Sequence, residues 1–158
     1  MTIDIITVGT IKEDYLREGI EEYKKRLSAY ARVNITELKE ERVANEDDPS
    51  QITRALESEK EKILAKIPAD AYKIALCVEG VQYDSPSLAS LLEKGSAKSG
   101  KIALIIGSSH GLSEGVKRAC DLRLSISKLT FPHQLMRLSL MEILYRCFTI
   151  IAGKKYHK

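Results

Sequence analysis

The chain alternates short apolar runs with longer stretches in which apolar residues return every three or four positions. Thr2 to Val8 is β-branched and loosely alternating, which predicts a strand ending at Gly9. From Lys12 to Tyr30, Leu16, Ile20, Tyr23, Leu27 and Tyr30 recur at helical spacing, while Glu21, Lys24 and Lys25 fall on the opposite face. Arg32 to Lys39 reads as a second strand, and the polar, acidic stretch Glu40 to Pro49 as a loop. A second helix is expected over Ser50 to Lys66, with Ser50 as its N-cap, a buried stripe of Ile52, Leu56, Ile63 and Ile67, and Pro68 as its stop. Lys73 to Val78 is a short apolar strand. Ser85-Pro86 reads as N-cap and first helical position of a third helix running to about Lys98. Ile102 to Ile106 is apolar without interruption, as a strand covered on both faces would be. Ser113 to Cys120 predicts a short helix, Leu122 to Ile126 a fifth strand, and His133 to Ala152 a final helix closed by Gly153.

Strands alternating with helices predict an α/β fold with a mostly parallel sheet flanked by helices. No internal repeat interrupts the alternation, and 158 residues fit one domain spanning 1–158. The final helix has almost no polar face. Such a helix is buried all round, either as a central core helix or, as we expect in so small a domain, with one side against another subunit.

Composition narrows the picture modestly. Residues 1–79 carry 13 Lys and Arg against 17 Asp and Glu, whereas residues 80–158 carry 12 against 5. A basic C-terminal half suits a polyanion, although a plain solvated surface would look the same. Cys77, Cys120 and Cys147 have no metal-ligand spacing, so reduced thiols and no metal are expected. No run is long enough to span a bilayer and no signal pattern opens the chain, so no membrane partner and a cytoplasmic location are expected.

The chemistry concentrates in three segments expected to be loops after strands: Leu76 to Gly80, Gly107 to Gly111, and Ile126 to His133. In an open α/β sheet, ligands sit outside the carboxyl ends of the strands. Glycines in Gly107-Ser108-Ser109-His110-Gly111 permit close backbone approach to a ligand, but a tight turn needs them too. The loop is neither a Walker loop nor G-x-G-x-x-G, which argues against a nucleotide-phosphate enzyme. The run Ile126, Ser127, Lys128, Leu129, Thr130, Phe131 is unusually apolar for a surface loop and could wrap an adenine through main-chain groups, or be a buried connector. His133 is a cap or a ligand contact, and Arg137, one turn on, is a phosphate contact or an ion-pair partner. The tail Lys154-Lys155-Tyr156-His157-Lys158 mixes stacking and phosphate-binding side chains, though a frayed basic terminus has the same composition.

Taken together, VGTIKEDY, IIGSSHGL, LSISKLTFPHQLMR and KKYHK resemble the RlmH (YbeA-type) family of small SPOUT-class methyltransferases over essentially the whole chain. The resemblance implies a C-terminal trefoil knot, a homodimer and S-adenosyl-L-methionine as cofactor. It implies methylation at N3 of a pseudouridine in helix 69 of 23S rRNA, on assembled ribosomes. Carried across by position, it places the methyl donor against Leu76, Gly107 and Ile126 to Phe131. His133, Arg137, Tyr156 and His157 become catalytic candidates, with Lys158 as a further charge-stabilising group. The family usually has a second glycine where Ser108 stands, and a side chain is expected to be tolerated there with Gly107 making the closer approach. A non-catalytic ribosome-associated RNA-binding factor is the competing reading, separable by whether the protein binds the donor.

Overall fold

A computed structural model describes all 158 residues. Five strands form one all-parallel sheet: β1 (Thr2–Val8), β2 (Arg32–Leu38), β3 (Tyr72–Val81), β4 (Lys101–Ile106) and β5 (Leu122–Leu124), in the order β2-β1-β4-β3-β5. Five helices cover it: α1 (Asp14–Leu27), α2 (Pro49–Leu64), α3 (Ser85–Ser96), α4 (Glu114–Arg118) and α5 (His133–Ile151).

The pleat sorts the core into two layers. Ile3, Ile5, Ile74, Ile102 and Leu104 face one way and pack with α1, α3 and α5. Ile6, Val8, Ala75, Ala103 and Ile105 face the other way, toward Ile63 of α2 and Val116 of α4. The uninterrupted apolar run at β4 is thus explained by cover on both faces. Helix α5 lies against both α1 and α3, and none of its residues is fully exposed. Its most buried side chains are Leu140, Met141, Leu144, Cys147 and Thr149. The Cys147 thiol, within reach of the Ser85 carbonyl, is pushed up to about 12 by burial.

Several expectations need correcting. Helix α2 is capped by Asp48, whose side chain accepts from Ser50 N–H at 2.9 Å; Ser50 is inside the helix. Asp84, accepting from Ser87 N–H at 2.8 Å, caps α3, so Ser85 and Pro86 are both helical. In both cases an aspartate sits just before the proline turn and outcompetes the serine as acceptor. Helix α1 is shorter at both ends than its apolar spacing suggests: Tyr30 packs on the core from the turn that follows. Of the expected α2 stripe, Ile63 is buried and Ile52, Leu56 and Ile67 are half-buried, while Ala55 and Glu59 are the other buried residues of the helix. Strand β3 continues to Val81, so Leu76 to Gly80 is irregular strand and not loop; its register shifts between Leu76 and Val81. Strand β5 stops at Leu124, before the expected Ile126.

Candidate functional site

A cavity of about 390 Å³ opens over the carboxyl ends of β3, β4 and β5. That volume lies in the range of small-molecule sites. The three segments singled out in the sequence meet there: Leu76 to Glu79 from β3, Ile106 to Leu112 after β4, and Ile126 to His133 after β5. Of the expected ligand-binding residues, Leu76, Gly107, Ile126, Ser127, Leu129, Thr130 and Phe131 line the cavity, whereas Lys128 does not. Leu129 is 70% exposed and Phe131 38%, an unusual cost for apolar side chains unless something covers them.

The glycine loop is a tight turn, with Gly111 N–H donating to Ser108 C=O at 2.9 Å. A Cβ on Gly107 would stand 2.2 Å from the Gly111 carbonyl oxygen, so no side chain fits there. Ser108 does not have a positive φ, so its side chain is accommodated. Its hydroxyl is buried and without a hydrogen-bond partner. Ser109 donates from Oγ to Glu40 Oε1 at 2.9 Å, and His110 Nε2 lies 3.9 Å from Glu46 Oε1. The opposite loop is stiffened by its own serines: Ser125 Oγ donates to Ser127 C=O and Leu129 N–H to Ser127 Oγ, both at 3.0 Å.

His133 opens α5 and lines the cavity. It does not cap the helix, whose start has no side-chain cap. Burial holds its pKa below the usual histidine value, and Arg137 and Lys12 add to that against an opposing effect from Glu40. The imidazole is therefore neutral at neutral pH and can accept a proton.

Arg137 does not reach the cavity. It is 3% exposed and donates from Nη2 to the carbonyls of Val8 and Gly9, at 3.3 and 2.5 Å. Its Nη1 lies 3.4 Å from Glu37 Oε2. Lys12 N–H donates to Gln134 Oε1 at 3.0 Å, so the turn after β1 is bolted to the first two turns of α5. The two distant segments VGTIK and FPHQLMR thus form one joint.

The tail folds away from its own cavity. The Tyr156 ring packs edge-on against Tyr145 at 4.8 Å between centroids, under the Arg146 guanidinium, and its hydroxyl bonds Glu142 Oε1 at 3.2 Å. His157 is exposed and near enough to Asp84 to help lower that carboxyl's pKa, after the hydrogen bonds from Ser87. Sequence reasoning missed Glu59, a carboxylate 2% exposed on α2. Its signal was position: it occupies the middle of the Ala55, Glu59, Ile63 stripe, where an apolar residue is expected.

The class of protein to which this parallel sheet and its cavity belong is shown by comparison: it is the SPOUT class of methyltransferases. The model of that class, described as "Predicted SPOUT methyltransferase", matches residues 1–157. Over the full length of both chains, the protein is 48% identical to ribosomal RNA large subunit methyltransferase H of Shouchella clausii and 46% identical to that of Listeria monocytogenes serovar 1/2a. The chain belongs to the ribosomal RNA large subunit methyltransferase H family. Among solved structures, a Bordetella pertussis protein aligns with TM-score 0.59 at 12% identity, covering 92% of this chain and 93% of that one. A Legionella pneumophila protein solved with the cofactor SAM bound aligns with TM-score 0.51 at 14% identity, covering 91% and 65%. These distant likenesses speak for the fold alone.

Proposed function

We propose that the protein is an S-adenosyl-L-methionine-dependent enzyme methylating N3 of a pseudouridine in helix 69 of 23S rRNA, working as a homodimer on assembled ribosomes in the cytoplasm. The trefoil knot belongs to the same reading. The observation that carries it is the convergence of Leu76, the Gly107 turn and Ile126 to Phe131 on one cavity, in a chain whose full-length relatives are large-subunit rRNA methyltransferases.

The residues present fit the donor. Gly107 lets the turn close tightly on the Gly111 carbonyl at the cavity's edge, the two loops offer main-chain donors and acceptors, and Leu129 and Phe131 supply apolar cover for a purine. When bound, the cofactor supplies a methyl group on a sulfonium. This chain's residues have two remaining tasks. One is to hold the uracil ring so that N3 lies in line with that methyl group. The other is to take the N3 proton or stabilise the anion left behind. His110, Glu79 and Lys117 also line the cavity, and we assign the base's role to neutral His133. Arg137 is committed to Val8, Gly9 and Glu37, and so serves by fixing His133's helix. Tyr156 and His157 leave their own cavity, so we assign them, with Lys158, to the target base at the partner subunit's site. A basic half of only moderate excess makes free RNA binding weak and salt-sensitive, which favours a structured ribosomal substrate.

Methyl transfer to intact ribosomes, large subunits and isolated 23S rRNA tests the reading, with donor binding followed separately by calorimetry. Transfer to intact ribosomes at a pseudouridine N3 is expected. Ribosome binding without any donor binding would favour a non-catalytic factor instead.

A further inference from the structure

Three consecutive residues of the glycine turn each face a carboxylate from the connection between β2 and α2 or from α2 itself. Ser109 bonds Glu40, His110 approaches Glu46, and Ser108 is near enough to Glu59 to help lower its pKa against the larger effect of burial. The third differs from the others in burial. Glu59 is 2% exposed and Ser108 6%. Glu59 Oε1 accepts the Glu41 N–H at 3.0 Å, which fastens the carboxyl to the strap that leaves β2. Its Oε2 has no partner, and neither has Ser108 Oγ. An orphan acceptor and an orphan donor are thus buried beneath the turn that lines the cavity, with the Glu40–Glu41 strap bonded to both Glu59 and Ser109. Either alone is costly to bury, and a bond between them would satisfy both.

We propose that Glu59 is a positioning residue for the cofactor turn: held by Glu41 N–H through one oxygen, it takes the Ser108 hydroxyl on the other and fixes Gly107–Gly111 in the shape that accepts the donor. Glu59 touches neither donor nor target. Its effect passes through Ser108. Helix α2, which covers one face of the sheet through Ile63, thereby also becomes part of the site's frame. Gln at 59 preserves the arrangement, because its carbonyl accepts from Glu41 N–H while its amide donates to Ser108 Oγ. Leu at 59 fits the apolar stripe and loses both bonds.

As a contribution to donor binding, the inference rests on the function proposed above, so the test has one arm that needs no donor. Amide hydrogen exchange in the free protein is expected to quicken about tenfold at residues 108–111 in Glu59→Leu and in Ser108→Ala, the scale of one buried hydrogen bond. Amides of β4 should be unchanged, and Glu59→Gln should match the wild type. Calorimetry should show a similar loss of S-adenosylmethionine affinity in the same two variants. The double variant should be no worse than either single one. Unchanged exchange at the turn, additive losses, or a Gln variant behaving like Leu would overturn the proposal. Should Glu59→Leu not fold, Ser108→Ala decides alone. A wild-type protein that binds no donor would defeat the functional reading and leave the exchange result to judge this one.

Discussion

Glu59 also makes a prediction about pH. Burial raises its pKa above the ordinary carboxylate value, the Glu41 amide and Ser108 oppose that, and the Glu40 and Glu41 charges add to it. Between the ordinary value and the folded one, the folded chain holds a proton that the unfolded chain has lost. Stability from this group therefore falls as pH rises through that window and stays low above it. Glu59→Gln, which carries no charge to bury, is expected to be more stable than wild type at pH 7, with the gain shrinking as pH falls toward 4. Urea unfolding at several pH values measures this; a gain that grows on acidification would contradict it. Glu59 and Arg137 also show what single residues hide in a sequence. Arg137 was visible as a candidate contact on the His133 face of α5, but its acceptors, Val8 and Gly9, lie over a hundred residues away in the chain. Glu59 was passed over because its one sign of facing inward, its place in the buried stripe, was outweighed by its charge in a helix rich in charged residues.

At the scale of elements, the periodicities recovered all five strands and all five helices, and the errors gathered where local signals competed. The proline turns carried both Asp and Ser, and only the geometry shows that the aspartates cap. Strand β3 was cut short because Glu79-Gly80 ends its apolar run, yet Val81 C=O still accepts from Ser125 N–H at 2.9 Å beyond the irregularity. Helix α5 depends on the Arg137 joint more than on its own ends, since its start has no side-chain cap. Arg137→Met is expected to cost about 2–4 kcal/mol, because it leaves two carbonyls and Glu37 without their cation. Arg137→Lys should recover little of that, as one ammonium cannot span the same fork of acceptors. Thermal unfolding reads both, and a silent Lys variant would refute the clamp. Gly107→Ala separates the turn from the fold: its Cβ cannot coexist with the Gly111 carbonyl, so the turn must open. Donor affinity should drop at least about tenfold with little change at β4, since the strain falls on a surface turn.

For the whole molecule, the tail and the cavity pose one geometric question. Tyr156 is held on the far part of α5 by Tyr145, Glu142 and Arg146, and neither it nor His157 lines the cavity of its own chain. If the tail acts on the target base, a two-fold dimer must bring it to the other subunit's cavity. The half-buried outer residues of α5, Leu135, Met136 and Ile143 among them, with exposed Leu129 and Phe131 at the mouth, give such a dimer apolar surface to bury. Mixing two impaired proteins, at a donor concentration too low to load the weakened cavity, tests this. One carries Tyr156→Ala and His157→Ala, the other Gly107→Ala. If subunits exchange freely, half the dimers are mixed, and each of these has one intact tail opposite one intact cavity. Activity on ribosomes should then return to about a quarter of the wild-type level after co-refolding. A tail that served its own subunit would give no such recovery, because in a mixed dimer neither chain carries both intact parts.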